Sequence, residues 1–141
     1  MDKSILKSIK TYAFVGAAGT GKSQRAQLVA SLLDADYIID DGLVIYKGSI
    51  VCGKSAKSER NQVSAIRRAI FEFDDHRQEV MSFFMEAAPC SVMIIATSDN
   101  MIQKILKKLE LNPPARIVRI EEVATPEEIA KARRERFSKG Q

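Results

Sequence analysis

The sequence has 141 residues, 45% of them apolar, which is enough for one compact core and too little for two comfortable ones. Its net charge of +4 favours anionic partners, and no run approaches the roughly 18 apolar residues that a membrane span needs. The polar N-terminus reads as neither a secretory signal nor an anchor; two cysteines, Cys52 and Cys90, without CxxC spacing and with one histidine argue against a disulfide framework or a zinc site and fit a reducing, cytoplasmic setting.

In chain order, Thr11 to Val15 is a β-prone run entering a glycine-rich loop, after which Ala26, Val29, Ala30 and Leu33 recur at helical spacing. Tyr37 to Ile39 is the next predicted strand, ending at Asp40-Asp41-Gly42. Leu43 to Tyr46 and Ile50 to Cys52 flank Lys47-Gly48-Ser49 like a small hairpin. From Glu59 to about Phe73 the helical period returns, with Val63, Ile66 and Ile70 on one face and Arg60, Ser64, Arg67 and Arg68 on the other. Either Asp74-Asp75 caps a second helix carrying Val80, Phe83 and Phe84, or the first helix runs straight through.

Ser91 to Ala96 is almost wholly apolar, as suits a strand covered on both faces. Thr97-Ser98-Asp99-Asn100 supplies N-cap chemistry for a helix lined by Ile102, Ile105, Leu106 and Leu109, and a strand follows at Ala115 to Ile120. Thr125-Pro126-Glu127-Glu128 then starts a last helix, with an N-cap threonine, proline at the first helical position and glutamate three residues after the cap. The expectation is a single α/β domain over residues 1–141, with a mostly parallel central sheet, helices on both faces and a small β-hairpin insertion. Four principal strands are visible where such sheets often have five, so a further strand is expected beyond Gly140, making the chain a possible C-terminal truncation.

Gly16-Ala17-Ala18-Gly19-Thr20-Gly21-Lys22-Ser23 matches GxxxxGK[ST] at every required position, with a predicted strand before it and a predicted helix after it. The chemistry needs these residues. Glycines let the loop wrap a phosphate with its N–H groups inward, and the helix N-terminus adds partial positive charge. Lys22 bridges the β- and γ-phosphates in such a loop, and Ser23 places its hydroxyl on Mg²⁺. Thr20 and Gly21 give backbone donors, and Gln24 completes the cofactor-binding set.

On this loop the chain resembles the P-loop NTPase superfamily, and within it the small kinase-type members of the adenylate and shikimate kinase group and small bacterial ATP-binding proteins of unassigned function. The resemblance covers about Thr11 to Leu33 and implies a three-layer P-loop fold that binds a nucleoside triphosphate with Mg²⁺. ATP is favoured over GTP, because there is neither DxxG after a strand nor an NKxD or TKxD motif.

Three acids are candidates for the metal: Asp40 and Asp41 at the end of an apolar strand, where open α/β sheets bind ligands, and Asp99 after the buried strand. In shikimate-kinase-like proteins the corresponding strand-end aspartate serves metal and acceptor, so the resemblance gives Asp40 and Asp41 that role. The alternative for that pair is a DG turn opening a hairpin. Thr97 and Ser98 stand where the family places its strand-end acid, and they could meet the γ-phosphate or its water, leaving Asp99 as a helix cap. Lys54, Lys57, Arg60, Arg67 and Arg68 lie where nucleotide kinases bind their acceptor, and Arg133, Arg134 and Arg136 lie where they carry a lid. A solvated basic face is the preferred reading of Arg67-Arg68 and of the Arg133, Arg134 and Arg136 group, and less so of Lys54 and Lys57; the stretch from Lys131 to Lys139 likewise reads as a charged face. His76 reads as a surface helix residue, and Met101 and the phenylalanines as core.

The sequence therefore points to an ATP-binding protein. The first expectation is a phosphotransferase with Lys22, Asp40, Asp41 and Arg134 in catalytic roles, Ser23, Asp40 and Asp99 on the metal, and a small anionic acceptor. The alternative is a nucleotide-sensing regulator or slow ATPase acting through a protein partner. Nucleic-acid binding ranks last, since aromatics are 6% of residues and no helicase-type motif series follows the loop.

Overall fold

In the computed structural model, which describes residues 2–138, six strands form one sheet: β1 Lys10–Val15, β2 Tyr37–Asp40, β3 Leu43–Tyr46, β4 Ser49–Gly53, β5 Ser91–Ala96 and β6 Arg116–Arg119. Their order is β4-β3-β2-β5-β1-β6. The helices are α1 Lys22–Leu33, α2 Gln62–Ala69, α3 Asp74–Ala87, α4 Asp99–Leu109, α5 Ile120–Val123 and α6 Pro126–Ser138. Gly140 and the strand expected beyond it lie outside the described residues, as do Lys139 and the side chains of Arg136 and Phe137.

Strand β1 shows why the sheet is covered on both sides, because alternate residues enter different cores. Phe14 joins Ile38, Met93, Ile95 and Val118 against Ala26, Val29 and Ala30 of α1. Ala13 and Val15 join Ile39, Val92, Ile94 and Ala96 against Val80 and Phe84 of α3 and Ile102, Ile105 and Leu109 of α4. The near-continuous apolar run of β5 follows from this double coverage. Leu6 and Ile9 are also fully buried, brought into the second core by a 3-10 helix at Lys3–Ser8.

The expected mostly parallel sheet is corrected to a mixed one. β1 pairs in parallel with β5 and β6, and β5 with β2, but β2–β3 and β3–β4 are antiparallel. The cause is local. Asp41 and Gly42 both have left-handed backbone (φ 56° and 89°) between the paired Asp40 and Leu43, the two-residue geometry that folds a strand straight back on itself. Lys47 and Gly48 repeat it (φ 48° and 84°), so the hairpin extends the sheet as its edge.

The helical pattern from Glu59 breaks into two helices, because Phe71 takes a left-handed backbone (φ 63°) and is fully buried. Phe73 occupies the N-cap of α3, and Asp74 and Asp75 fall in its first turn, where their charge suits the helix dipole. The inward face of α2 is also corrected. Ile70, at the C-cap, is buried as expected, but Val63 and Ile66 are 69% and 55% exposed, while Ala69 is buried and Arg68 is drawn inward. At the last helix Thr125 and Glu128 form the expected reciprocal cap: Glu128 N donates to Thr125 Oγ1 at 3.1 Å and Thr125 N to Glu128 Oε1 at 2.8 Å. Among the described residues no helix is long and apolar enough to cross a membrane.

Candidate functional site

The loop from Gly16 to Ser23 leaves the end of β1 and enters α1, and its geometry is fixed by close packing beneath it. Gly16 donates to Ala96 O at 3.2 Å and lies so close to the buried Ile120 that a Cβ there would sit 2.7 Å from Ile120 Cγ2. Gly19 and Gly21 hold left-handed backbone (φ 76° and 91°), which side chains rarely adopt. Thr20 is buried and its hydroxyl donates to Ala17 O at 2.7 Å, a brace inside the loop. Ala17, Ala18, Ser23 and Gln24 remain exposed.

Two of the expected site residues, Lys22 and Ser23, lie where the loop enters the start of α1. The ammonium of Lys22 turns back over the loop, donating to Gly16 O and, at 3.0 Å, to Ala17 O. The Ser23 hydroxyl donates to Asp40 Oδ2 at 3.1 Å, so the hydroxyl and a β2-end carboxylate are brought together. That pair offers the hard oxygen donors that Mg²⁺ uses beside phosphate oxygens. Among the described residues no group of three His, Cys, Asp or Glu side chains stands ready to hold a metal by itself.

Asp41 belongs instead to the β2–β3 turn, where its carbonyl accepts from Ala56 N at 2.9 Å. Asp99 is not brought to Ser23. As the first residue of α4 it accepts two bonds from Arg119, at 2.8 and 2.9 Å, and this partner pulls its carboxyl below the ordinary range. Nor is Asp99 the helix cap, a place taken by Ser98, whose hydroxyl accepts from Met101 N at 3.1 Å. Thr97 is exposed beside it, its hydroxyl 3.6 Å from Met101 Sδ. Arg119 lies opposite Val15 on β6, and Ala96 lies opposite Val15 on β5. The Asp99–Arg119 pair therefore joins the two strands that flank the one carrying the loop.

Compared with known proteins, the chain matches no protein-family model, no curated protein and no solved structure. The site rests on its own geometry.

Helix α6 lies against the loop. Ala132 Cβ is 3.6 Å from where a side chain on Gly21 would begin, and Glu128 pairs with Arg25 at 2.5 Å. Arg133 and Arg134 are exposed on that helix.

His76, expected as a surface helix residue, is corrected: it is fully buried. Its ring stacks on Phe71 with centroids 4.7 Å apart, and Nε2 lies 2.8 Å from Gly42 O, so Nε2–H donates to that carbonyl. Burial lowers its pKa, the hydrogen bond to Gly42 O and the charge of Glu79 oppose this, and Arg68 and Lys54 add to the lowering. Nδ1 has no partner among the described residues, consistent with a neutral ring. The basic stretch is largely paired: Lys54 with Asp75 at 3.4 Å, Arg67 with Glu72 at 3.1 Å and Arg68 with Glu59 at 2.9 Å. Both cysteines are free, and burial pushes the Cys52 thiol up to about 12 and the Cys90 thiol up to about 11.

Sequence reasoning missed Arg119, because nothing in a spacing rule distinguishes it from the 22 lysines and arginines of the chain. It also missed the preference for Asp40 over Asp41, which depends on the turn that directs each side chain.

Proposed function

We propose that the chain binds Mg·ATP on Gly16–Ser23 in a P-loop-type site and acts as a kinase-like phosphotransferase on a small anionic acceptor. The observation that carries this reading is the Ser23–Asp40 contact. It sets the hydroxyl and the acid that a magnesium triphosphate site needs within one hydrogen bond, at the edge of the sheet where the glycine loop opens. Mg²⁺ held there by Ser23 and Asp40 would supply charge neutralisation for the phosphates.

The chain's own residues do the rest. Backbone N–H groups at the N-terminus of α1 face the phosphates, and Lys22 exchanges its bonds to Gly16 O and Ala17 O for phosphate oxygens. Asp40 would hold the metal through its hydration shell, Asp41 in the β2–β3 turn would serve the acceptor, and Arg134 would neutralise charge on the transferring phosphoryl group.

A second reading, a nucleotide-sensing regulator or slow ATPase acting through a protein partner, is favoured by the Asp99–Arg119 pair, which occupies the acid beyond the buried strand. Phosphorus NMR of the protein with Mg·ATP and pooled small metabolites separates the two, with Lys22→Ala as control. A new phosphoester signal that the control lacks is the expected result. Inorganic phosphate alone, or ATP bound and unconsumed, would replace the transferase reading with the second.

A further inference from the structure

An amphipathic helix ordinarily turns its apolar stripe to the core, but along α2 only the C-terminal end of that stripe, Ile70, is buried, while Val63 and Ile66 face solvent. Its inner side is made of Ala65, Arg68 and Ala69. The Arg68 side chain is held by Glu59 at 2.9 Å and lies over the Phe73 ring at 4.2 Å. Gly42 packs against the same stem, 3.5 Å from Arg68 Cγ to where a Cβ would begin. With that side fixed, Val63 and Ile66, one turn apart, form a ridge open to solvent, with Arg67 beside them.

Two cations without an ion-pair partner among the described residues precede this ridge in the chain. Residues 54–70 hold five cations; Arg68 pairs with Glu59, Arg67 with Glu72 and Lys54 with Asp75, which leaves Lys57 and Arg60 as the cations open to a partner. Lys57 and Arg60 are exposed and have no ion-pair partner among the described residues. The exposed pair Leu28 and Leu32 on α1 lacks an unpaired cation beside it: its helix neighbours are Gln24, Ser31 and Arg25, and Arg25 is paired with Glu128.

We infer that the outer face of α2 is a docking surface for an amphipathic helix of a partner protein, one with an apolar ridge and acidic flanks. Residues one turn apart on α2 accept anchors spaced one turn apart on a facing helix, and the cations at the rim complement glutamates or aspartates beside those anchors. Two apolar side chains on an eight-residue helix are too little for stable membrane insertion, which favours a protein. The surface stands whether or not ATP is turned over, and it gives the second reading above the class of its partner.

The test uses the full chain, nitrogen-15 labelled and free of nucleotide, titrated with a short helical peptide bearing leucines on one face and glutamates on both flanks. A lysine-flanked version of that peptide is the control. Expected are amide shifts centred on residues 57–70, at least about tenfold weaker binding by the Val63→Ser/Ile66→Ser variant, and a preference for the lysine-flanked peptide after Lys57→Glu/Arg60→Glu. Both pairs are exposed, so neither change disturbs the core. The proposal fails if no shifts occur, if they centre on α1, or if affinity is unchanged in the serine variant and merely falls steeply with salt. It fails equally if a single-stranded oligonucleotide or phosphatidylserine vesicles bind the same residues more tightly, or if sedimentation shows a dimer of this chain that buries α2.

Discussion

Ser23 and Asp40 stand 17 positions apart in the chain and one hydrogen bond apart in the structure, and the proposed chemistry depends on that meeting. The first of them is legible in the sequence, because GxxxxGKS is a local pattern whose geometry is carried by its own glycines. The second was legible only as one of two adjacent acids. His76 was misread for a related reason: it sits in Asp74-Asp75-His76-Arg77, a polar stretch that resembles surface, whereas its burial comes from Gly42, 34 positions away. Its neutral, buried state has a consequence for pH. The folded chain resists protonation at His76, while the unfolded chain binds a proton below about pH 6.5. The unfolded state then holds more protons, so stability falls as the pH drops through that value and is retained above it. As the chain's one histidine, it dominates this window. The urea midpoint should fall between pH 7 and pH 5.5 in the wild type and stay nearly level in His76→Gln; equal slopes in the two proteins would refute this assignment.

At the scale of elements, helix and strand types followed from apolar periodicity, and the errors came from what periodicity omits. Spacing gave α2 its amphipathic period but not the direction in which its apolar side faces, which depends on Arg68 meeting Glu59 and Phe73. The antiparallel β2–β3 pairing was signalled by Asp41-Gly42, a strong two-residue turn sequence that competes with a parallel reading of the same strand. That turn joins several parts. Gly42 O accepts from Lys54 N at 3.2 Å and from His76, and Asp41 O accepts from Ala56 N, so β2, the basic segment and α3 meet at two residues. Gly42→Ala would force a side chain into left-handed backbone and against the Lys54 carbonyl. It should cost about 2 kcal/mol or more in chemical denaturation, and a smaller loss than about 0.5 kcal/mol would show that the turn relaxes freely.

For the molecule as a whole, the sheet places the glycine loop, the Ser23–Asp40 pair and the Asp99–Arg119 pair at neighbouring strand ends, while Lys57 and Arg60 remain exposed, without an ion-pair partner among the described residues, in the segment that follows the hairpin. Binding of an anionic nucleotide is the claim on which the phosphotransferase and regulator readings both rest. The most direct measurement is isothermal titration of the protein with ATP, in magnesium and in chelator, for the wild type, Lys22→Ala and Asp40→Asn. Saturable binding to the wild type, weakened at least about tenfold by Lys22→Ala and reduced by Asp40→Asn only when magnesium is present, is the predicted result. Equal affinity in wild type and Lys22→Ala, or no binding to either, would contradict the account.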